Sequence, residues 1–153
     1  MIAEECNIDY TGGYIMGDNV SLSEGVKILT HNHELDFNPK DLHKGCVLTP
    51  LTVEDGAWIG SKAMIMPGVN TIGRYAMISA GAVVYKKVPP YAVVMGNLGK
   101  IIGFRYTPEE IVEFEKLHYA ERDRLPIELL EKNYEKYYLN RMKEIREYTR
   151  LSL

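Results

Sequence analysis

A period of six constrains this chain more than any other feature. Between residues 47 and 88 an aliphatic side chain returns at every sixth position, at Val47, Val53, Ile59 and Ile65. One extra residue near Asn70 shifts the count, which resumes at Ile72, Ile78 and Val84. Four places after most of these stands a small or short apolar residue: Ala57, Ala63, Val69, Ala76, Ala82 and Val88. A half-buried strand alternates every two residues and a helix repeats about every 3.6, so neither produces this spacing. Short repeats that cannot bury an apolar face alone must stack on one another, which predicts a solenoid; a hexapeptide period belongs to the β-helix class. Ordinary strands with chance spacing are the alternative.

The beat is weaker near the start, where Ile2, Ile8, Tyr14, Val20 and Val26 are each six apart. Cys6, Gly12, Asp18, Glu24 and Thr30 take the fifth place there. Gly12, Gly13, Gly17 and Gly25 are expected at corners with positive φ. Twelve hexapeptides, three to a triangular coil, predict four coils. A beat that begins at residue 2 leaves an open β edge, which proteins usually cover. Cover is expected from a subunit partner or from a preceding segment.

The period breaks after His31. Residues 32–46 are polar and aperiodic, with turn signals at Asn38-Pro39 and Gly45. A long loop thrown out of a regular solenoid is a frequent place for function. The solenoid ends at Val88-Pro89-Pro90, and residues 91–102 read as an exit segment with a turn at Gly96-Asn97. Thr107-Pro108-Glu109-Glu110 predicts a helix start, with Thr as N-cap, Pro at the first position and Glu closing a capping box. Ile111, Phe114 and Leu117 form a helical stripe to about Arg122. A second helix is expected from near Pro126, with Ile127, Leu130, Tyr134, Tyr137, Ile145 and Tyr148 on one face. That aromatic stripe is expected to pack on a neighbour. Its Glu, Lys and Arg face is read as solvated.

At 153 residues the chain is one domain with an appendage, and it needs no disulfide staples to bury a core. A net charge of −3 and a pI of about 5.8 give no basic field for nucleic acid or anionic membrane. Cys6 and Cys46 have no metal or redox spacing, so free thiols in a reducing cytoplasm are expected. MIAEEC shows no signal-peptide pattern, and no apolar run approaches the ~18 residues of a membrane span.

Chemistry points to the histidines. His118 falls in the tail helix and is read as structural. His31, His33 and His43 lie in or beside the loop, and a neutral imidazole near pH 7 suits a general base or a metal. His31 and His33 are read as facing opposite sides of a strand, which argues against a shared metal. His31 closes a regular repeat and so has the fixed position a base needs. Asp9 is either functional or a turn residue. Lys86, Lys87, Lys100 and Arg105 form a modest basic group for a phosphate-bearing ligand, or are merely solvated. Trp58, the only tryptophan, is either interface packing or a ligand platform.

Trp58-Ile59-Gly60, Met66-Pro67-Gly68-Val69, Ile78-Ser79-Ala80-Gly81 and Val88-Pro89-Pro90 with Gly96-Asn97 resemble the hexapeptide-repeat acyltransferases. The nearest subgroup is the galactoside, maltose and exopolysaccharide O-acetyltransferases, over roughly residues 7–102. The resemblance implies a left-handed parallel β-helix (residues 1–102, loop 32–46) followed by a helical tail (103–153). It implies a homotrimer with sites between subunits and acetyl-CoA as co-substrate, with no metal expected. By position, Thr30-His31 matches the catalytic histidine, and His33-Glu34-Leu35 resembles a run in the same loop. The two anchors compete, and His31 is favoured. Asp9 matches an acceptor-binding aspartate, and His33 and Glu34 are placed at the acceptor. Ser61, Ala80 and Lys86 match coenzyme contacts, Lys100 a basic position near its phosphates, and Trp58 a residue beside the pantetheine arm.

The chain departs from that pattern in places. The N-terminal helical region is missing, and an acceptor-binding asparagine would fall at Met1. Asn70 is additional, and Leu98-Gly99-Lys100 replaces Pro-Ala-Lys. The longer tail is similar to those of xenobiotic and capsular polysaccharide acetyltransferases.

The expected activity is cytoplasmic acetyl transfer from acetyl-CoA to a saccharide hydroxyl, with His31 as base and Glu34 or Asp36 holding the other imidazole nitrogen. Alternatives are N-acetylation of an amino sugar, a zinc carbonic anhydrase on the same solenoid, which needs three histidines on coils, and a non-catalytic trimeric assembly subunit. No nucleic-acid partner and no integral membrane segment are expected.

Overall fold

The computed structural model describes residues 1–34 and 45–150. Asp36 and His43 fall outside them. Up to the loop the strands are β1 (Asn7–Ile8), β2 (Tyr14–Met16), β3 (Ser21–Leu22), β4 (Lys27–Ile28) and β5 (His31–His33). Beyond it come β6 (Cys46–Leu48), β7 (Leu51–Val53), β8 (Trp58–Ile59), β9 (Met64–Ile65) and β10 (Thr71–Ile72). The last strands are β11 (Met77–Ile78), β12 (Val83–Val84), β13 (Ala92–Met95) and β14 (Lys100–Phe104).

Most strands are two residues long because each hexapeptide spends the rest of its length on a corner. The strands form parallel sheets in the orders β1-β4-β9-β12, β2-β7-β10 and β3-β8-β11-β13, the last edged by antiparallel β14. From β2 to β4, from β7 to β9 and again from β10 to β12, the chain visits the second, third and first sheet in turn. The six-residue beat therefore becomes three vertical columns. Ile8, Ile28, Ile65 and Val84 are register partners down one sheet. Met16, Val53 and Ile72 are partners in the next, and Leu22, Ile59, Ile78 and Val94 in the third.

The predicted interior positions from Val53 to Val88, aliphatic and small alike, are at most 2% exposed. Burying an Ile or Val side chain contributes about 1.5–3 kcal/mol, so the columns carry the fold. Val47 is a correction. It is 44% exposed, because it belongs to a hairpin in which β5 and β6 pair antiparallel outside the cycle. The beat re-enters with Leu51 and Val53. Ile2 is also half exposed, although it bridges to Leu22. Asn70, the extra residue, turns the corner with φ 62°, a left-handed conformation that Asn tolerates. Of the four early glycines only Gly13 and Gly25 take positive φ. Gly12 is required for another reason: a Cβ there would collide with the carbonyl of Thr30.

The exit segment is the β13–β14 hairpin, turning at Gly96 with φ 87°. Helix α1 (Pro108–His118) begins with the predicted capping box, both Thr107 and Glu110 bonds being present. It stops at His118, short of Arg122, and a turn of 3₁₀ helix follows over Glu121–Asp123. Its stripe differs from the predicted one, since Leu117 is 81% exposed and Glu115 is buried with Ile111. The Glu115 carboxylate accepts from the Tyr91 hydroxyl (2.8 Å), the Leu125 N–H (2.7 Å) and, at 3.3 Å, the Arg74 guanidinium. Burial, then the Glu115 bond, pushes the Tyr91 phenol far above its ordinary range. The expected second helix is two helices, α2 (Ile127–Tyr137) and α3 (Met142–Arg150), parted by a 3₁₀ turn at Leu139–Arg141. Tyr134 packs on Phe104 of β14, so this part of the aromatic stripe meets its own chain.

Candidate active site

Two parts of the backbone meet at Thr30. Its N–H donates to Oδ2 of Asp9 and its hydroxyl to the Asp9 carbonyl, both at 2.9 Å. The Gly12 N–H donates in turn to the Thr30 hydroxyl, also at 2.9 Å. Thr49, beyond the loop, donates its N–H to the Thr30 carbonyl at 2.8 Å. Thr30 is fully buried, and it fixes the base of the β5–β6 hairpin against the stretch that carries Asp9.

His31 is thereby held with Nδ1 2.6 Å from Asp9 Oδ2. An ionised carboxylate only accepts, so the imidazole carries its proton on Nδ1 and keeps a lone pair on Nε2. The Thr11 side chain, then the Thr30 N–H, hold the Asp9 carboxyl far below the usual carboxylate range, so it stays ionised near neutrality. The imidazole is 27% exposed and its aspartate 15%. A fixed base that is partly exposed and whose second nitrogen has no hydrogen-bond partner among the described residues is the arrangement general-base catalysis requires.

The carboxylate on His31 Nδ1 is Asp9, 22 residues earlier in the chain. That is neither of the loop residues expected to hold the imidazole. Glu34 instead extends the hairpin, its N–H donating to Gly45 at 3.2 Å. The expectation that His31 and His33 face apart is also corrected. Residues two apart on a strand share a face, and the two rings meet edge to face with centroids 5.2 Å apart. Donor atoms of His31, His33 and Cys46 all lie within 4.8 Å of one another.

The expected coenzyme residues divide between two clefts. Trp58, Ser61 and Ala80 line one of about 300 Å³ with Ser23 and Ser79. Trp58 is 48% exposed and donates from Nε1 to the Ser23 hydroxyl at 3.0 Å. Lys86 and Lys100 line a second cleft, also of about 300 Å³, with Lys87 and Arg141. Arg105 does not join them; it lines a different hollow with Trp58 and Tyr75, because it follows β14 and its guanidinium reaches the Tyr75 carbonyl at 3.3 Å. Glu144 of α3 bonds to Lys100 (3.3 Å) and Arg141 (3.0 Å). Those bonds, the Arg141 one foremost, draw its carboxyl down to about 2. Arg141 was missed in the sequence because its Glu, Lys and Arg surroundings read as a solvated face. Neither cleft is lined by His31.

No family model matches the chain. Galactoside O-acetyltransferase of Escherichia coli is 35% identical over 96 residues, 61% of this chain and 44% of the relative. Chloramphenicol acetyltransferase of Escherichia coli is 54% identical over 54 residues, 35% of this chain and 25% of the relative. Among solved structures, a hexapeptide-repeat acetyltransferase of Vibrio cholerae aligns over 68% of this chain and 73% of its own, with TM-score 0.51 and 20% identity. The matched relatives are acetyltransferases, and the matched structure shares their fold with this chain.

Two further acyltransferase structures share the fold. Galactoside acetyltransferase in complex with coenzyme A aligns with TM-score 0.59 and 25% identity, over 82% of this chain and 62% of that one. AntD, an N-acyltransferase from Bacillus cereus in complex with an amino-sugar nucleotide and coenzyme A, aligns with TM-score 0.61 and 18% identity, over 76% and 65%. The chain spans less than half the length of the curated acyltransferases it matches. Among the described residues no helix is long and apolar enough to cross a membrane.

Proposed function

We propose that this chain is a cytoplasmic acetyltransferase that moves the acetyl group of acetyl-CoA to a saccharide hydroxyl, with His31 as general base. The observation that carries the proposal is the 2.6 Å contact between His31 Nδ1 and Asp9. The acceptor oxygen attacks the thioester carbonyl while Nε2 takes its proton. Asp9 stabilises the imidazolium that forms. Collapse of the tetrahedral intermediate breaks the carbon–sulfur bond, and the proton passes from Nε2 to the departing thiolate.

In this proposal the three sheets are the faces of a left-handed parallel β-helix over residues 1–102, and residues 103–153 are its helical tail. Three copies form a homotrimer with the sites between subunits. Trp58, Ser61 and Ala80 receive the pantetheine arm, and Lys86 and Lys100 receive the phosphates of coenzyme A. His33 and Glu34, on the same hairpin as His31, line the acceptor side. The role of Asp9 shifts from binding acceptor to orienting the base. Support comes from a galactoside O-acetyltransferase among the relatives and coenzyme A in the neighbouring structures.

N-acetylation of an amino sugar is the second reading, favoured by AntD, whose solved complex holds dTDP-4-amino-4,6-dideoxyglucose. Turnover measured side by side on hydroxyl and amino sugars decides between them. A neutral amine needs less help from a base, so His31→Ala falls further with a hydroxyl acceptor than with an amine.

A further inference from the structure

The antiparallel register pairs His33 with Cys46 across the hairpin, and His31 stands two residues before His33 on the same strand. A cross-strand partner and an i, i+2 pair present three side chains on one face. The Cys46 sulfur lies 4.0 Å from His33 Nδ1, and donor atoms of all three residues lie within 4.8 Å of one another. Two imidazoles and a thiolate are a donor set for zinc and its soft neighbours, not for magnesium or calcium. Metal–nitrogen bonds of about 2.0–2.1 Å and a metal–sulfur bond of about 2.3 Å require the donors to close in by roughly an ångström. His33 and Cys46 are exposed on the hairpin while His31 is partly buried and held by Asp9, so the closure falls to the His33 and Cys46 side chains. Asp9 already holds Nδ1 of His31, the outer-shell bond that orients metal-bound histidines and leaves Nε2 for the ion.

We infer that His31, His33 and Cys46 form an inhibitory site for a zinc-class divalent ion. The bound ion takes the Nε2 lone pair that the proposed reaction needs, so metal and acceptor proton compete for one atom. Binding replaces the Cys46 sulfur–hydrogen bond by a sulfur–metal bond and releases the proton. The ion is a competitor of the reaction and not its cofactor. Only the inhibitory part rests on the acetyltransferase reading.

Titration with cobalt(II) chloride tests the site without any turnover. One ion per chain is expected, with a thiolate-to-cobalt charge-transfer band. Cys46→Ser abolishes the band, and Asp9→Asn weakens binding about 10–100-fold by removing the outer-shell carboxylate. No band in the wild-type protein, or a band that survives Cys46→Ser, overturns the site. For inhibition, zinc chloride is titrated into the acetyl-transfer assay. Cys46→Ser is expected to keep its turnover and to need at least about tenfold more zinc for half inhibition. Equal inhibition of both proteins overturns the regulatory part. A cobalt band in a protein that transfers no acetyl group supports the site and counts against the transferase reading.

Discussion

Nδ1 of His31 lies 2.6 Å from Oδ2 of Asp9, and 22 residues of chain separate them. The pair is assembled by Thr30, whose N–H and hydroxyl both bond Asp9. His31→Ala is therefore expected to lower kcat by about 10²–10⁴-fold with acetyl-CoA affinity nearly unchanged. Steady-state kinetics alongside calorimetry checks this, and unchanged turnover moves the base to His33.

Asp9→Asn separates orientation from proton acceptance. An amide offers the imidazole the wrong tautomer as readily as the right one, so kcat falls by up to about 10⁴-fold, the loss seen when a triad carboxylate is neutralised. The KM for acetyl-CoA stays where it was. A change confined to the acceptor KM would return Asp9 to acceptor binding.

The depressed Asp9 carboxyl also makes an acid-stability prediction. A group whose folded pKa lies below its unfolded value, about 3.9 for Asp, contributes stability that is complete above the unfolded value and is lost as pH falls from there through the folded one. Hydrogen bonding by the Thr11 side chain and the Thr30 N–H produces that depression. Chemical unfolding measured between about pH 6 and pH 2 should show a shallower acid loss for Asp9→Asn than for wild type.

Glu115 anchors the tail. It is 1% exposed and accepts from Tyr91, Leu125 and Arg74. Glu115→Ala leaves Arg74 without its buried partner, a loss of about 3–5 kcal/mol. The exposed Lys100–Glu144 pair provides the contrast, since solvent screens it and Lys100→Ala should leave stability almost unchanged. Urea unfolding of the two variants reads the difference directly.

Much of this architecture was legible in the sequence, because a period of six has few structural solutions. Ile59, Ile65, Ile72 and Ile78 stand in the interior as the period requires. Val47 carries the same spacing and faces solvent, because hairpin pairing between β5 and β6 overrides periodicity there. His31 was legible as a fixed residue at the base of the loop. Its partnership with Asp9 was not, since a contact between residues 22 apart leaves no local pattern. The buried Glu115 was equally hidden, since a glutamate on a helix reads as solvated until Tyr91 and Arg74 are seen to enclose it.

Titration of acetyl-CoA into the purified protein, by calorimetry with a thermal melt beside it, tests the central claim most directly. The account predicts saturable binding at one site per chain. Ligand at a hundredfold its Kd then stabilises the fold by about 2.7 kcal/mol, visible as a raised Tm. A folded trimer that binds no acetyl-CoA and whose Tm does not move would contradict the account and favour a non-catalytic assembly subunit.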